Sequence, residues 1–410
     1  MSINESPGRL PLAGLRVVEY AQYVAGPFAG MLLADLGADV IKVEPPDGDA
    51  WRRYEPFAPG QSRYFYGLNR NKRSVVIDLK TEDGVRASTS LIRSCDAVLH
   101  NFPPDRALRF GLDRAAVREC NPDAVWCCVS ALGSDGPQSS LTAFDLVAQA
   151  MSGLLLAGAQ EHDSPPQRAG GIAIADFTAG LLAAIAVLAG LVRRSRTTAP
   201  GIEVSLLGAA LAVQAQRFVS VDGLDPAPPR DPLDRLAPAT EADLAALLDG
   251  RRDVDGLEPY YRSYRARDGY FVLACLHERQ RRAAGAILGL DDPWAANPQA
   301  RPANPDERAR RVALVEEFER RLALEPAADW IRRFRAVGVP AAQVQRLDQL
   351  FEHEQVDANG LVATVDGGAG PVRLLGSVFK VDDVTGPVGP IPGLGEHTEE
   401  VLSECTAQRS

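Results

Sequence analysis

Short apolar, β-branched runs recur through the first 135 residues: LRVVEY (15–20), DVIKVEP (39–45), SVVIDL (74–79), AVLHNF (97–102) and AVWCCVSAL (124–132). Helical patterns lie between most of them, at 28–36, 82–94 and 113–120. Strand and helix in alternation predict a parallel sheet covered on both faces, with ligands bound beyond the carboxyl ends of its strands. Two more helical stretches follow, 144–157 and 176–195, and then a third apolar pattern from 203 to 218. The stretch 222–256 is rich in proline, aspartate and arginine, and reads as a linker with one short helix inside. A second unit begins with a strand, YFVLAC (270–275), and continues with helices near 278–289, 306–323 and 326–337. The tail 360–383 reads as short strands joined by glycine turns, and HTEEVLSE as a terminal helix.

Within that pattern the segment GGIAIADFTAGLLAAIAVLAGLVRR (170–194) stands out, because between Gly170 and Val192 the one ionisable side chain is Asp176. The uncharged run after it, 177–192, is shorter than the roughly 20 residues that a bilayer core requires. Its wealth of Ala and Gly predicts a helix buried inside the protein. Two readings of Asp176 stand side by side. One is a helix N-cap, its carboxylate accepting backbone amides. The other is a nucleophile on the floor of an apolar crevice, where Gly170, Gly171 and Gly180 let another molecule come close.

Composition narrows the classes. The chain has 410 residues, long enough for two domains, and its net charge of −10 speaks against a nucleic-acid partner. The six cysteines contain no CxxC pair and the five histidines are scattered, so no metal site is expected. The N-terminal MSINESPGRLPLAG lacks the basic-then-apolar order of a signal peptide, and the expectation is a reduced, cytoplasmic protein. Three further segments could carry chemistry. AGPFAG (25–30) is either a plain strand–helix turn or an anion site at a helix N-terminus. RNKRSVVIDLK (70–80) gathers Arg70, Lys72, Arg73 and Lys80 into either a solvated basic patch or a counter-charge for a phosphorylated ligand. HNFPPDRALRFG (100–111) sets Asn101 and Phe102 before Arg106 and Arg109, as a packed loop or as contacts for an adenine and its phosphate.

Taken in order, PLAGLRVVEY, AGPFAGMLLADLGADVIKVEPPDGD, NRNKRSVVIDLKTEDG, HNFPPDRALRFGLD, AFDLVAQAMSG, IADFTAG, YRARDGYFVLA and GLGEHTEEVL resemble the family III CoA-transferases from about residue 11 to 402. The resemblance implies an α/β fold: a Rossmann-like large domain over 1–205, completed by 350–410, and a smaller α+β domain over 222–345. It also implies a homodimer of two chains threaded as linked rings. Asp176 falls on the family nucleophile, which forms an aspartyl anhydride and then an aspartyl-CoA thioester. Coenzyme A and acyl-CoA enter as substrates, with no permanently bound cofactor, and a carboxylic acid accepts the CoA; neither nucleic acid nor membrane is an expected partner. CoA contacts carry over to Val24 and Ala25, to Ile77 and Lys80, to Asn101, Phe102 and Arg109, and to Thr142, Ala143 and Phe144 beside the pantetheine arm.

The departures bear on function. The racemase branch has a histidine where this chain has Phe144, which removes the usual partner for proton exchange at the α-carbon. A family arginine beside CoA corresponds to Pro45, leaving Arg52 or Arg53 as substitutes. An acyl-CoA isomerase, or a paralogue that binds acyl-CoA without turnover, remain the alternatives, and a dinucleotide-dependent dehydrogenase lacks its phosphate fingerprint.

Overall fold

The computed structural model describes residues 10–159, 165–194, 197–222, 239–245, 258–298, 302–367 and 370–407. Two compact units emerge. One lies within Met1–Gly158, Pro165–Ala227 and Phe351–Ser410, the other within Ala159–Ser164 and Pro228–Leu350. Most of the linker expected at 222–256 falls outside the described residues, and within it 241–245 are helical.

The larger unit is built on six parallel strands, β1 (Arg16–Tyr20), β2 (Asp39–Glu44), β3 (Lys72–Val76), β4 (Ala97–His100), β5 (Val125–Ser130) and β6 (Gly201–Ser205). Their order is β3-β2-β1-β4-β5-β6, the doubly wound arrangement whose direction of progression reverses between β1 and β4. Helix α1 (Ala25–Asp35) starts earlier than the apolar period implied, because Pro27 in a first turn forfeits no needed hydrogen bond. On one face α1, α2 (Ile174–Arg194) and the helix Leu206–Ala212 form a core with Val17, Leu99 and Val125. On the other, Glu82–Arg93 and Thr398–Ala407 enclose Val18, Ile41, Val75 and Val98. The pattern at 203–218 thus resolves into edge strand β6 and the helix after it, where Ser205 Oγ accepts the Gly208 amide at 3.0 Å.

Helix α2 (Ile174–Arg194) is, among the described residues, the one helix whose length and composition would suit a membrane. It packs along α1, β5 and β6 instead, with Ala175, Ala179, Ala183 and Val187 fully buried. The expected burial holds for one face only, since Leu181, Ile185 and Val192 are exposed.

The basic cluster at 70–80 is also corrected. Arg70 and Lys72 are fully buried, Arg70 on Asp35 at 2.5 Å and Lys72 on Glu19 at 2.8 Å. Arg73 pairs with Asp39 and Glu404, so of the four only Lys80 is exposed. Three cations offered to a ligand on sequence grounds are held by the fold, because a buried charge must find a partner.

The smaller unit is an antiparallel sheet, β7 (Tyr261–Ala266), β8 (Gly269–Ala274) and β9 (Ala341–Gln343) in the order β9-β8-β7. Its core is aromatic: Tyr264, Phe271, Phe318, Trp330 and Phe334, contributed by the sheet and by helices Pro305–Leu322 and Ala327–Ala336.

Candidate active site

The approach to α2 turns on Gly170 and Gly171, whose φ angles of 63° and 69° lie in the left-handed region that glycine adopts without strain. The Phe177 amide bonds the Ala173 carbonyl at 3.0 Å, which puts Ala173 at the N-cap with no side chain able to accept a hydrogen bond. The cap comes from thirty residues earlier. Asp145, at the start of the helix Asp145–Met151, accepts the Ala175 and Asp176 amides on Oδ1 at 2.9 and 3.3 Å. Its Oδ2 accepts Gln149 Nε2 at 2.7 Å and faces Arg168 Nε at 3.7 Å. Gln149, fully buried, accepts the Ala169 amide on Oε1 at 3.0 Å.

Asp176 is therefore not the N-cap. It stands in the first turn, half-buried, and among the described residues its carboxylate has no hydrogen-bond partner. Burial pushes its pKa up, the neighbouring Asp145 charge pushes it further, and Arg168 draws it back, leaving it at about 7. A carboxyl with that proton affinity, free of hydrogen bonds, can serve as a nucleophile near neutral pH. Asp145, Gln149 and Arg168 escaped sequence reading; the available signal was the Asp–Gln spacing of four in FDLVAQA, which puts both on one helical face.

An aromatic group adjoins this cap. Tyr23, held at φ 68°, meets Trp51 edge-on at 5.5 Å and Phe144 at 5.6 Å. Trp51 continues to Tyr54 at 4.9 Å and Tyr64 at 5.1 Å. Phe144 immediately precedes Asp145 and is 57% exposed, while Thr142 is exposed and Ala143 intermediate.

The remaining candidates lie along the carboxyl ends of the strands. Val24 and Ala25 are buried at the entry to α1, whose N-terminus carries no side-chain cap. Asn101 leaves β4 and grips the loop after β1 from both sides: its Oδ1 accepts the Gln22 amide at 3.1 Å and its Nδ2 donates to the Gln22 carbonyl at 2.8 Å. Phe102 packs edge-on to Phe110 at 5.8 Å under Arg106, and Ile77 is buried in the same core. Lys80 and Arg109 share a groove of about 630 Å³ with Leu79, Thr81 and Phe110. Arg52 is no substitute for the arginine missing at Pro45, because Glu44 holds it bidentately at 2.7 Å. Arg53 is exposed and bonded to Asp47. Among the described residues no group of His, Cys, Asp and Glu could hold a metal.

The sequence matches the family model CoA-transferase family III over residues 12–398. It is 31% identical to a succinate–glutarate CoA-transferase of Agrobacterium fabrum, with 98% of each chain covered. It is 32% identical to the succinyl-CoA:glutarate CoA-transferase of Mus musculus, over 96% of this chain and 86% of that protein. A crystal structure of a CAIB/BAIF family protein from Brucella suis superposes with a TM-score of 0.75 at 28% identity, covering 97% of this chain and all of that one. The chain belongs to CoA-transferase family III and is a CoA-transferase.

Proposed function

We propose that the protein moves CoA between short dicarboxylic acids, with Asp176 as the covalent nucleophile. The observation that carries this reading is the unpaired, half-buried Asp176 carboxylate at the entrance to α2. One carboxylate oxygen attacks the thioester carbonyl; the C–S bond breaks, giving an aspartyl anhydride and CoA thiolate. The thiolate attacks the aspartyl carbonyl of the anhydride, releases the donor acid, and leaves an aspartyl-CoA thioester. The acceptor carboxylate then attacks that thioester, and the same steps run in reverse. Each intermediate keeps the activation of the original thioester, so the exchange needs no ATP. Water must stay out, since it hydrolyses an anhydride, and the aromatic group beginning at Phe144 supports that exclusion. Lys80 and Arg109 in their groove support binding of the CoA phosphates.

The class of acid rests on the relatives, which act on succinate and glutarate by name. Incubation with succinyl-CoA followed by hydroxylamine is expected to leave a hydroxamate at Asp176, located by peptide mass spectrometry. Transfer to glutarate is expected to disappear in Asp176→Ala while CoA affinity stays within a few-fold. Full transfer by that variant, or a hydroxamate elsewhere, overturns the reading.

A further inference from the structure

The nucleophile's helix has its N-terminal amides capped by a second aspartate, and the arrangement has a chemical purpose beyond holding the helix. An aspartate in the first turn of a helix ordinarily turns its own carboxylate toward free backbone amides, which are its nearest donors. Here those of Ala175 and Asp176 are taken by Asp145 Oδ1. Resting on the covalent role proposed for Asp176, we propose that Asp145 is a positioning residue: by occupying the amides at the start of α2, it keeps the Asp176 carboxylate unengaged and turned to the substrate.

The surrounding contacts fix Asp145 in that part. Gln149 is oriented by the Ala169 amide on its Oε1, so its Nε2 must face Asp145 Oδ2. Arg168 adds a guanidinium on the same oxygen. Two amides and a carboxamide N–H donate to Asp145 and a guanidinium stands 3.7 Å away, which suits an acceptor-only carboxylate. It lies buried with its charge beside Asp176, so the second carboxyl ionises against the first. Among the described residues the ionisable groups facing Asp176 are Asp145 and Arg168; α1, packed along α2, sets the Ala25 carbonyl and the Phe28 ring against Gly180 and Phe177. Asp145 thus acts on the reaction twice through its neighbour, once by keeping donors away and once by raising its basicity.

Asp145→Asn keeps an oxygen for the helix amides and removes the charge, while its Nδ2 meets the Gln149 Nε2 donor where an acceptor stood. Arg168→Met removes the opposing charge and leaves the cap. The test is the pH dependence of Asp176 acylation by succinyl-CoA, together with a ¹³C NMR titration of the Asp176 carboxyl carbon, which needs no turnover. In Asp145→Asn the acid limb and the NMR midpoint are both expected to move down by about one pH unit, and in Arg168→Met they move up. Asp145→Ala, lacking cap and charge, is expected to lose at least about ten-fold in acylation rate at every pH, with Asp145→Asn recovering most of it. A scaffold role alone would lower melting temperature and rate while leaving both midpoints where they were. Unchanged midpoints in Asp145→Asn overturn this proposal even if acylation proceeds normally. If wild type is never acylated but the midpoints move as stated, it is the covalent reading that fails.

Discussion

Asp176 opposes the fold in the very form in which it attacks. Its folded-state pKa of about 7 lies well above the ordinary 3.8, chiefly through burial and then through Asp145. The folded protein therefore binds this proton more tightly than the unfolded chain does. The group's favourable contribution is full below the ordinary carboxylate range and is lost as the pH climbs toward 7. Asp176→Asn, neutral at every pH and nearly the same shape, is expected to melt above wild type at pH 8 by about 2 °C or more, with the gap closing near pH 4. Equal melting temperatures at pH 8, read by calorimetry, would contradict the cost assigned to the ionised form. Asp176 was visible in the sequence because nothing else in its run ionises. Asp145 was not, because its importance lies in two amides thirty residues away.

Among the elements, α2 decides where the nucleophile stands. Its buried seam is alanine and glycine apart from Val187, and a Cβ on Gly180 would come within 2.7 Å of the Ala25 carbonyl and 3.0 Å of the Phe28 ring. A backbone oxygen cannot swing aside as a side chain can. Gly180→Ala is expected to part α1 from α2, to lower stability by about 1–3 kcal/mol in urea denaturation, and to slow acylation of Asp176 as well. Loss of stability with an unchanged acylation rate would mean that the seam does not set the reach of the carboxylate. The strands β1, β2, β4 and β5 were legible because central parallel strands are largely apolar on both faces, and β3, at the other edge, through the apolar run SVVIDL that overlaps its end. β6, half-buried at the sheet edge, carried a weaker signal and was absorbed into the apolar pattern that runs on from it. β7 was missed because YRSYRA repeats aromatic and arginine every third residue instead of alternating apolar with polar, and burial shows only once β8 pairs with it.

For the whole molecule the relevant quantity is charge. With a net charge of −10, long-range forces repel the phosphates of CoA, and many of the cations are already committed. Lys42, Arg52, Arg70 and Lys72 face buried carboxylates, as the pairings with Glu19, Glu44, Asp35 and Asp49 record. The exposed pair at the groove, Lys80 and Arg109, is the one proposed to meet a CoA phosphate. Lys80→Ala and Arg109→Ala are each expected to weaken CoA binding about two- to five-fold at low ionic strength. In calorimetric titrations that effect should fade toward 1 M salt, where the screening length is about 3 Å. A loss that is indifferent to salt would count against a phosphate contact.

Asn101 adds a mechanical consequence. Because one side chain clasps both polar atoms of the Gln22 backbone, the two banks of the crevice between β1 and β4 are tied together. Parting those banks to admit a ligand would mean breaking both hydrogen bonds at once, so a ligand that adjusts its own torsions is favoured over one that pries the loop away. Tight binding at that seam would be won by a molecule already bent to fit.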